Sequence, residues 1–383
     1  MFFRNNQEKE KDMKKALLML LVVGLTLFAS ADGLGDINIK PIVDDGTGAV
    51  MPLEGIGPNG EIPVGVEAVI DLLSAEDKAA IQKAGYTATI SLHSTNADWS
   101  ILQIAGMKAA LKAYNIEVLA VTDAEMSVAK SISDLESVIA LDPDLMIAFV
   151  LDADASAEVF RTAIDKGIKL SFIDAVPTGF KHPADYAGMG TADNYANGKA
   201  SAEALVEYLG GKGEVAVLEF VASLFHTDQR TQAAIDVFNS YPDIKIVATQ
   251  EVSGAESAAT ATESLLIAHP EIDGIWTFWD VPGMAAVGVV ESLNKDVKVV
   301  ACDLSEDTAY SIASGGAMLA TGAQHPYDQG VAEALIGIAA LAGKETPAYV
   351  LVPGERVTRE SMAASWKRIF KTDLPSSLAA LLK

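Results

Sequence analysis

From Tyr86 onward the chain alternates short, continuously apolar runs with longer amphipathic ones, and it does so in two successive series. TATISLH, IEVLAVTD, DLMIAFVLD, IKLSFID and DYAGMG read as strands of the first series, with helical spacing over 100–114, 127–140 and 154–167 between them. GEVAVLEF, IKIVATQ, GIWTFWD, VKVVACD and MLATGAQ read as strands of the second, with helices over 194–209, 228–239, 256–268, 281–294 and 306–314. A strand that is apolar throughout needs cover on both faces, and strand–helix–strand order supplies it by laying helices on both sides of a parallel sheet. The repeated series predicts an α/β chain of two similar, doubly wound parallel-sheet lobes. With 383 residues, 50% of them hydrophobic, the chain is long enough for two such cores.

In doubly wound sheets ligands bind beyond the carboxyl ends of the strands. Asp123, Asp152, Asp174, Asp280, Asp303 and Gln324 stand at those ends here. Asp123 and Asp152 read as N-caps of the helices that follow. The others are candidates to line a crevice.

The stretch before Tyr86 has a different character. Residues 13–31 have Lys14 and Lys15, an apolar segment from Ala16 to Phe28, and Ala29-Ser30-Ala31, which is the pattern of a cleaved secretory signal peptide. The apolar segment is shorter than the ~20 residues a membrane span needs. Met13 is the expected start, with residues 1–12 an upstream extension. Residues 32–85 comprise a Gly-, Pro- and Asp-rich leader, read as extended and outside any sheet to residue 71, then a helix over 72–85 capped by Ser74. Removing residues 1–31 takes away five basic and three acidic groups and moves the formal charge from −24 to −26. That surface repels nucleic acid and anionic lipid.

Enzyme signatures are sparse. His93, His182, His226, His269 and His325 show no metal-ligand spacing, so no metal and no cofactor are expected. No phosphate loop or G-x-S-x-G elbow occurs, and Ser127-Val128-Ala129-Lys130 matches S-x-x-K without its companion motifs. The single cysteine, Cys302, reads as a buried strand thiol. Asp280 and Asp303 leave open an exported glycosidase that uses paired carboxylates.

HSTNADWS places a tryptophan among small polar groups just past a strand. A sugar or polyol offers C–H faces to an aromatic plate and hydroxyls that each need a partner, at about 1–3 kcal/mol for one left unpaired. Trp99 would supply the plate, with His93, Asn96 and Asp98 beside it. Trp279 and Asp280 in TFWD repeat the arrangement, so two plates from two lobes would sandwich one ring.

HSTNADWSILQIAG, SFID, MGTADNYANGKASAEAL, LLIAHPEIDGIWTFWD, VKVVACD and ATGAQHPYDQG, taken in that order, resemble the periplasmic sugar-binding proteins of the ribose-binding type, the capture components of ABC importers. The resemblance implies the type I periplasmic binding protein fold, with three strands crossing between lobes near residues 190, 324 and 350. It gives an N-terminal lobe of 86–191 with 325–350 and a C-terminal lobe of 192–324 with 351–383. It puts Trp99 on the first-lobe aromatic plate, Asn96 in the adjoining polar loop and Asp174 on a hydroxyl-binding aspartate. Asp303 falls on a second-lobe aspartate and Gln324 on a hinge glutamine. Trp279 lands where ribose binders carry asparagine, with Asp280 next to it.

Two departures from that pattern point away from ribose and toward a flatter, bulkier hexose or cyclic polyol. Ala175 replaces an arginine, and a second arginine near Asp228 is read as missing. Arg230 either reaches into the site or makes a helix-surface salt bridge, and Phe225 and His226 precede it. The implied role is capture of a sugar or polyol by lobe closure and delivery to an ABC permease of the inner membrane, as a monomer. Because no cysteine follows the signal segment, the protein is expected free in the periplasm. A chemoreceptor ligand carrier remains an alternative. A sugar-responsive repressor does not, for want of a basic DNA-binding segment.

Overall fold

The computed structural model of the chain describes residues 50–383; the expected signal peptide at 13–31, residues 1–12 and the leader to residue 49 lie outside the described residues. The first sheet has seven parallel strands in the spatial order β1 (Val64–Gly65), β12 (Tyr349–Val352), β6 (Gly188–Ala192), β5 (Lys169–Ile173), β4 (Leu145–Phe149), β2 (Thr87–Leu92) and β3 (Glu117–Asp123). The second has six, in the order β13 (Glu355–Val357), β11 (Met318–Ala323), β10 (Lys298–Cys302), β9 (Gly274–Thr277), β7 (Lys212–Phe220) and β8 (Asp243–Val252). Only β13 runs antiparallel to its neighbour. The central strands are buried because helices cover both faces: β4 and β9 have no exposed residue. The predicted pair of parallel-sheet lobes is therefore what the chain forms, and Cys302 is a free, buried thiol as expected.

The first lobe carries α3 (Asp98–Ala113), α4 (Val128–Ile139), α5 (Ala157–Asp165) and α11 (Pro326–Leu341). The second carries α6 (Asn194–Tyr208), α7 (Phe225–Ser240), α8 (Ala255–Ala268), α9 (Asp280–Ser292) and α10 (Glu306–Ser314). The chain leaves the first sheet after β6, re-enters that lobe from β11 into α11, and leaves it again from β12 into β13. Sequence spacing did not reveal α11. Every residue from Pro326 to Ala339 is buried, so there is no polar face to give it a period. It crosses α3 where Gly106 and Gly330 meet: a Cβ on either would stand 2.0–2.1 Å from a carbonyl oxygen of the other helix.

Three local expectations are corrected. Asp123 does not cap α4, whose cap is Ser127; its carboxylate instead accepts from Thr95 Oγ1 at 2.6 Å and Thr95 N at 3.2 Å, pinning the loop before Trp99. Asp152 accepts from Asp154 N and Ala155 N in a turn ahead of α5 rather than capping the helix itself. The leader is not outside the sheet, because Val64 and Gly65 pair with Val350 and Leu351 as its edge strand. Between residue 74 and Gly85 the expected helix is present as α2 (Ala75–Ala84), with a Ser74 capping box and Gly85 in the left-handed conformation. The remaining short helices are α1 (Glu67–Ile70), α12 (Met362–Phe370) and α13 (Ser376–Leu381).

Before β1 the leader runs across the crossings. Val50 bridges Glu355, and Met51 N donates to Gly354 O at 3.0 Å. Glu54 N and Gly55 N donate to Asp193 Oδ2, Lys199 Nζ pairs with Glu54 at 2.7 Å, and Gln229 Nε2 reaches Ile56 O at 2.7 Å. Asp193 also caps α6 through Ala196 N at 2.9 Å. Replacing it (Asp193→Ala) strips one acceptor from three backbone donors and should lower the unfolding free energy by about 2 kcal/mol in urea titration. A loss below about 0.5 kcal/mol would mean the leader and the cap hold without it.

Candidate ligand-binding cleft

A cleft of about 410 Å³ opens between the lobes, with Trp99 and Asp98 on one wall and Asp280, Asp303 and Ser305 on the other. Gln324, at the second crossing, forms its floor. Trp99 Nε1 donates to Gln324 Oε1 at 3.2 Å, Gln329 Nε2 donates to the same oxygen at 2.9 Å, and Gln324 Nε2 donates to Asp303 Oδ1. Asp303 Oδ2 accepts from Arg230 Nη1 at 3.0 Å. Arg230, 3% exposed, also donates to Phe278 O at 3.0 Å and through Nε to Asn194 Oδ1 at 2.9 Å. Asn194 Nδ2 donates to Thr191 Oγ1, which donates to Asp174 Oδ1. One chain of hydrogen bonds thus joins the first-lobe indole to the first-lobe Asp174 by way of the second lobe.

Asp174 and Asp303 end their strands in the same way. Each follows the last residue of a central strand (β5, β10), has a left-handed backbone (φ 59° and 70°), and donates its N–H to a carbonyl of the neighbouring strand, Gly190 or Gly322. Aspartate tolerates that conformation better than most side chains. The turn halts the strand and aims both carboxylates into the space between the lobes. Burial, reinforced by the Asp303 charge and offset by Thr191 and Arg230, raises Asp174 to about 6. Burial and then the Asp303 charge raise Asp280 to about 6, against a hydrogen bond from Ser305. Burial alone would lower Arg230, but the Asp303 charge, joined by Cys302, Asp174 and the hydrogen bond to Asp303, outweighs it and the guanidinium stays charged.

Beside the chain of hydrogen bonds lies an aromatic cluster. His93 stands 4.2 Å from the Phe149 ring and 5.4 Å from Trp99, while His226 of the second lobe stands 6.1 Å from Phe149. The Nδ1 atoms of both histidines are buried without a partner. Burial holds His93 down at about 4, with Asp123 opposing, and burial also lowers His226 well below its ordinary value, helped by Arg230 and His93. Both rings are neutral near pH 7.

The sequence candidates do not all converge. His93, Trp99, Asp174, Arg230, Asp280, Asp303 and Gln324 line the cleft or join its lining directly or through the bonds above. Asn96 and Asp228 are exposed and turn to local partners, Ser94 Oγ and Ser223 Oγ. Trp279 forms no second plate on the cleft wall. β9 stops at Thr277, Trp279 becomes the N-cap residue of α9, and its ring packs on Phe278 and Phe220 at 4.4 and 4.9 Å. Arg230 is no surface salt bridge: it is buried and paired with Asp303. Thr191, Asn194 and Phe149 went unnoticed; the first two lie in GTADN, directly at the first crossing, which is the signal that marks them.

Among the described residues no group of His, Cys, Asp or Glu is arranged to hold a metal ion, and no helix is long and apolar enough to cross a membrane. Residues 88–345 match the model of the periplasmic binding protein domain. The chain is 31% identical over 140 residues to the D-apiose import binding protein of Actinobacillus succinogenes, covering 36% of this chain and 45% of that protein. It is 26% identical over 247 residues to the ribose import binding protein of Bacillus subtilis, 64% of this chain and 78% of that one. A solved ABC transporter periplasmic solute binding protein of Actinobacillus succinogenes with bound D-allose superposes with a TM-score of 0.66 at 27% identity, covering 72% of this chain and 99% of that one.

Two outcomes follow from the charges. Asp303→Ala leaves the buried guanidinium of Arg230 without its carboxylate and should cost roughly 3 kcal/mol of stability in urea titration, whereas Trp99→Ala, on an open wall, should cost under about 1.5. Equal losses would mean the ion pair contributes no more than the indole. The second outcome concerns pH. A folded Asp pKa near 6 against about 3.9 unfolded makes a contribution that is complete below about pH 4 and lost as pH rises through about 6. His93, lowered from about 6.5 to about 4, has the opposite trend, contributing above about 6.5 and losing it as pH falls toward 4. Asp280→Asn isolates the first trend: its Tm should exceed that of the parent at about pH 7.5 and match it at about pH 4. A pH-independent difference would refute the charge crowding.

Proposed function

Because the chain belongs to the periplasmic binding protein domain family, we propose that it captures a sugar or cyclic polyol between its lobes and hands it to an ABC importer permease. The observation that carries this reading is the bond path from Trp99 through Gln324 to Asp303 and Arg230. An indole plate from one lobe and a fixed carboxylate from the other face one cleft, which is what a molecule with both C–H faces and hydroxyls requires.

The contacts between lobes also supply a mechanism. Asp98 Oδ2 accepts from Glu306 N at the start of α10, 3.3 Å across the cleft. Such bonds exist only when the lobes are together. A ligand touching both walls adds to them, and so shifts a hinge equilibrium toward closure by its differential affinity for the closed form. The role so read is binding without turnover, in the periplasm and as a monomer. The related proteins' sugars, apiose, ribose and allose, set the size class of the ligand.

Thermal-shift screening of the chain from Asp32 to Lys383 against pentoses, hexoses, inositols and sugar alcohols tests the proposal. A ligand at ~100 times its Kd should stabilise by about 2.7 kcal/mol, several degrees in Tm, and Trp99→Ala should abolish most of that shift. No shift with any compound, in protein freed of carried-over ligand, would overturn it.

A further inference from the structure

The leader segment from Val50 to Val66 lies outside the family domain at 88–345 and is bonded to both lobes. On the first lobe, Val64 and Gly65 pair with β12, and Leu53 packs against the buried apolar cluster that holds Tyr349 and Leu351. On the second, the Glu54 carboxylate accepts from Lys199 Nζ of α6 at 2.7 and 2.9 Å. Ile56 O accepts from Gln229 Nε2 of α7 at 2.7 Å, and Met51 N donates to Gly354 O, beside β13, at 3.0 Å. Gly55 is wedged where the two sets of contacts meet. A Cβ there would stand 3.2 Å from both Asp193 Oδ1 and Leu351 Cδ1, and 3.6 Å from Tyr349 Oη.

Cover for a sheet edge does not account for these bonds. Covering β12 takes only the pairing of Val64 and Gly65, whereas Glu54 and Ile56 meet helices of the other lobe. α7 is also the helix that reaches across to the first lobe. Its Phe225 ring stands 6.4 Å from Tyr349 and packs against the same first-lobe cluster as Leu53, and His226 stands 6.1 Å from Phe149. Gln229 lies one turn after Phe225, on the same face of the helix. α7 therefore meets the first lobe twice, directly through Phe225 and by way of the leader through Gln229. Both contacts are made with the lobes together, as the bond from Glu306 N to Asp98 Oδ2 at 3.3 Å across the cleft shows.

We propose that residues 50–66 form a clasp between the lobes: held to β12 by strand pairing, they bond Lys199 and Gln229 of the second lobe and favour the closed arrangement before any ligand is bound. Rotation of the second lobe away from the first carries α7 off Tyr349 and stretches the bonds to Glu54 and Ile56, while β1 stays with β12. Contacts made in full in only one of two states shift the equilibrium toward that state. The bonds of the clasp involve none of the residues that line the cleft, so it acts on every ligand alike. It raises the closed fraction, and apparent affinity with it, without setting specificity. The clasp depends on lobe geometry alone, whatever the cleft takes.

Cys302, the only cysteine, is buried, so nitroxide labels attach to cysteines introduced by Met126→Cys and Val221→Cys, at exposed positions just past β3 and β7. Those strands lie toward the ends of the two sheets away from the crossings, where a lobe rotation moves atoms furthest. Double electron–electron resonance on the labelled chain, freed of carried-over ligand, reads the separation of the lobes. Lys199→Ala combined with Gln229→Ala cuts the side-chain bonds of the second lobe to the clasp and leaves β1 paired. Relative to the labelled parent, the population at longer distances should rise about two-fold or more. Gly55→Val, which displaces the segment by crowding Asp193 and Leu351, should act in the same direction. Distances unchanged in both variants, whether or not Tm falls, would leave the segment a covering role alone and overturn the clasp, as would a shift to shorter distances. No ligand is present in any of these samples, so a failure here leaves capture standing, and the failure of capture is read in the thermal-shift screen.

Discussion

Arg230 and Asp303 form the contact on which the site depends. A buried ion pair is weak grounds for stability, because removing two charges from water offsets most of their attraction. What this one provides is position. Arg230 is held by the Phe278 carbonyl, Asn194 and Asp303, so its planar fork has one orientation, and that orientation fixes the Asp303 carboxylate for Gln324 and, through it, Trp99. The backbone prepares the place. α6 and α7 approach so closely that a Cβ on Gly198 would lie 2.2 Å from Arg230 O, and the guanidinium can reach Asn194 only because the two helices touch there.

Strands and flanked helices were legible because their pattern is local. An apolar run of five to nine residues between amphipathic stretches has few other solutions, so both sheets could be read almost strand for strand. α11 escaped because its environment is uniform: packed between α3 and the first sheet, it needs no polar face. β1 escaped because two residues on an edge carry no period, and only their partners Val350 and Leu351 make them a strand.

The site was legible where a strand end marked it and illegible where the partner was distant. Asp174, Asp303 and Gln324 stand at strand ends, and Trp99 heads α3. Arg230 gave an ambiguous reading because its partners lie 36, 48 and 73 residues away, and nothing local separates such an arginine from one in a surface pair. Trp279 was misplaced by a local resemblance. TFWD reads as a continuing strand, but the ladder stops at Thr277, whose hydroxyl donates to Trp279 O and turns the chain into α9 with the ring against Phe278 and Phe220.

The crowding of charge between the lobes also bears on closure itself. Bringing the walls together removes water from Asp174 and Asp280 and sets Asp174 of the first lobe near the Arg230–Asp303 pair of the second. Closure without ligand therefore carries a desolvation cost, and the partnerless imidazole nitrogens of His93 and His226 add to it. A ligand that supplies donors to those groups removes the cost only in the closed form, which is the differential affinity that a binding-driven hinge needs. The leader is bonded to both lobes as well, to β12 on one and to β13, α6 and α7 on the other.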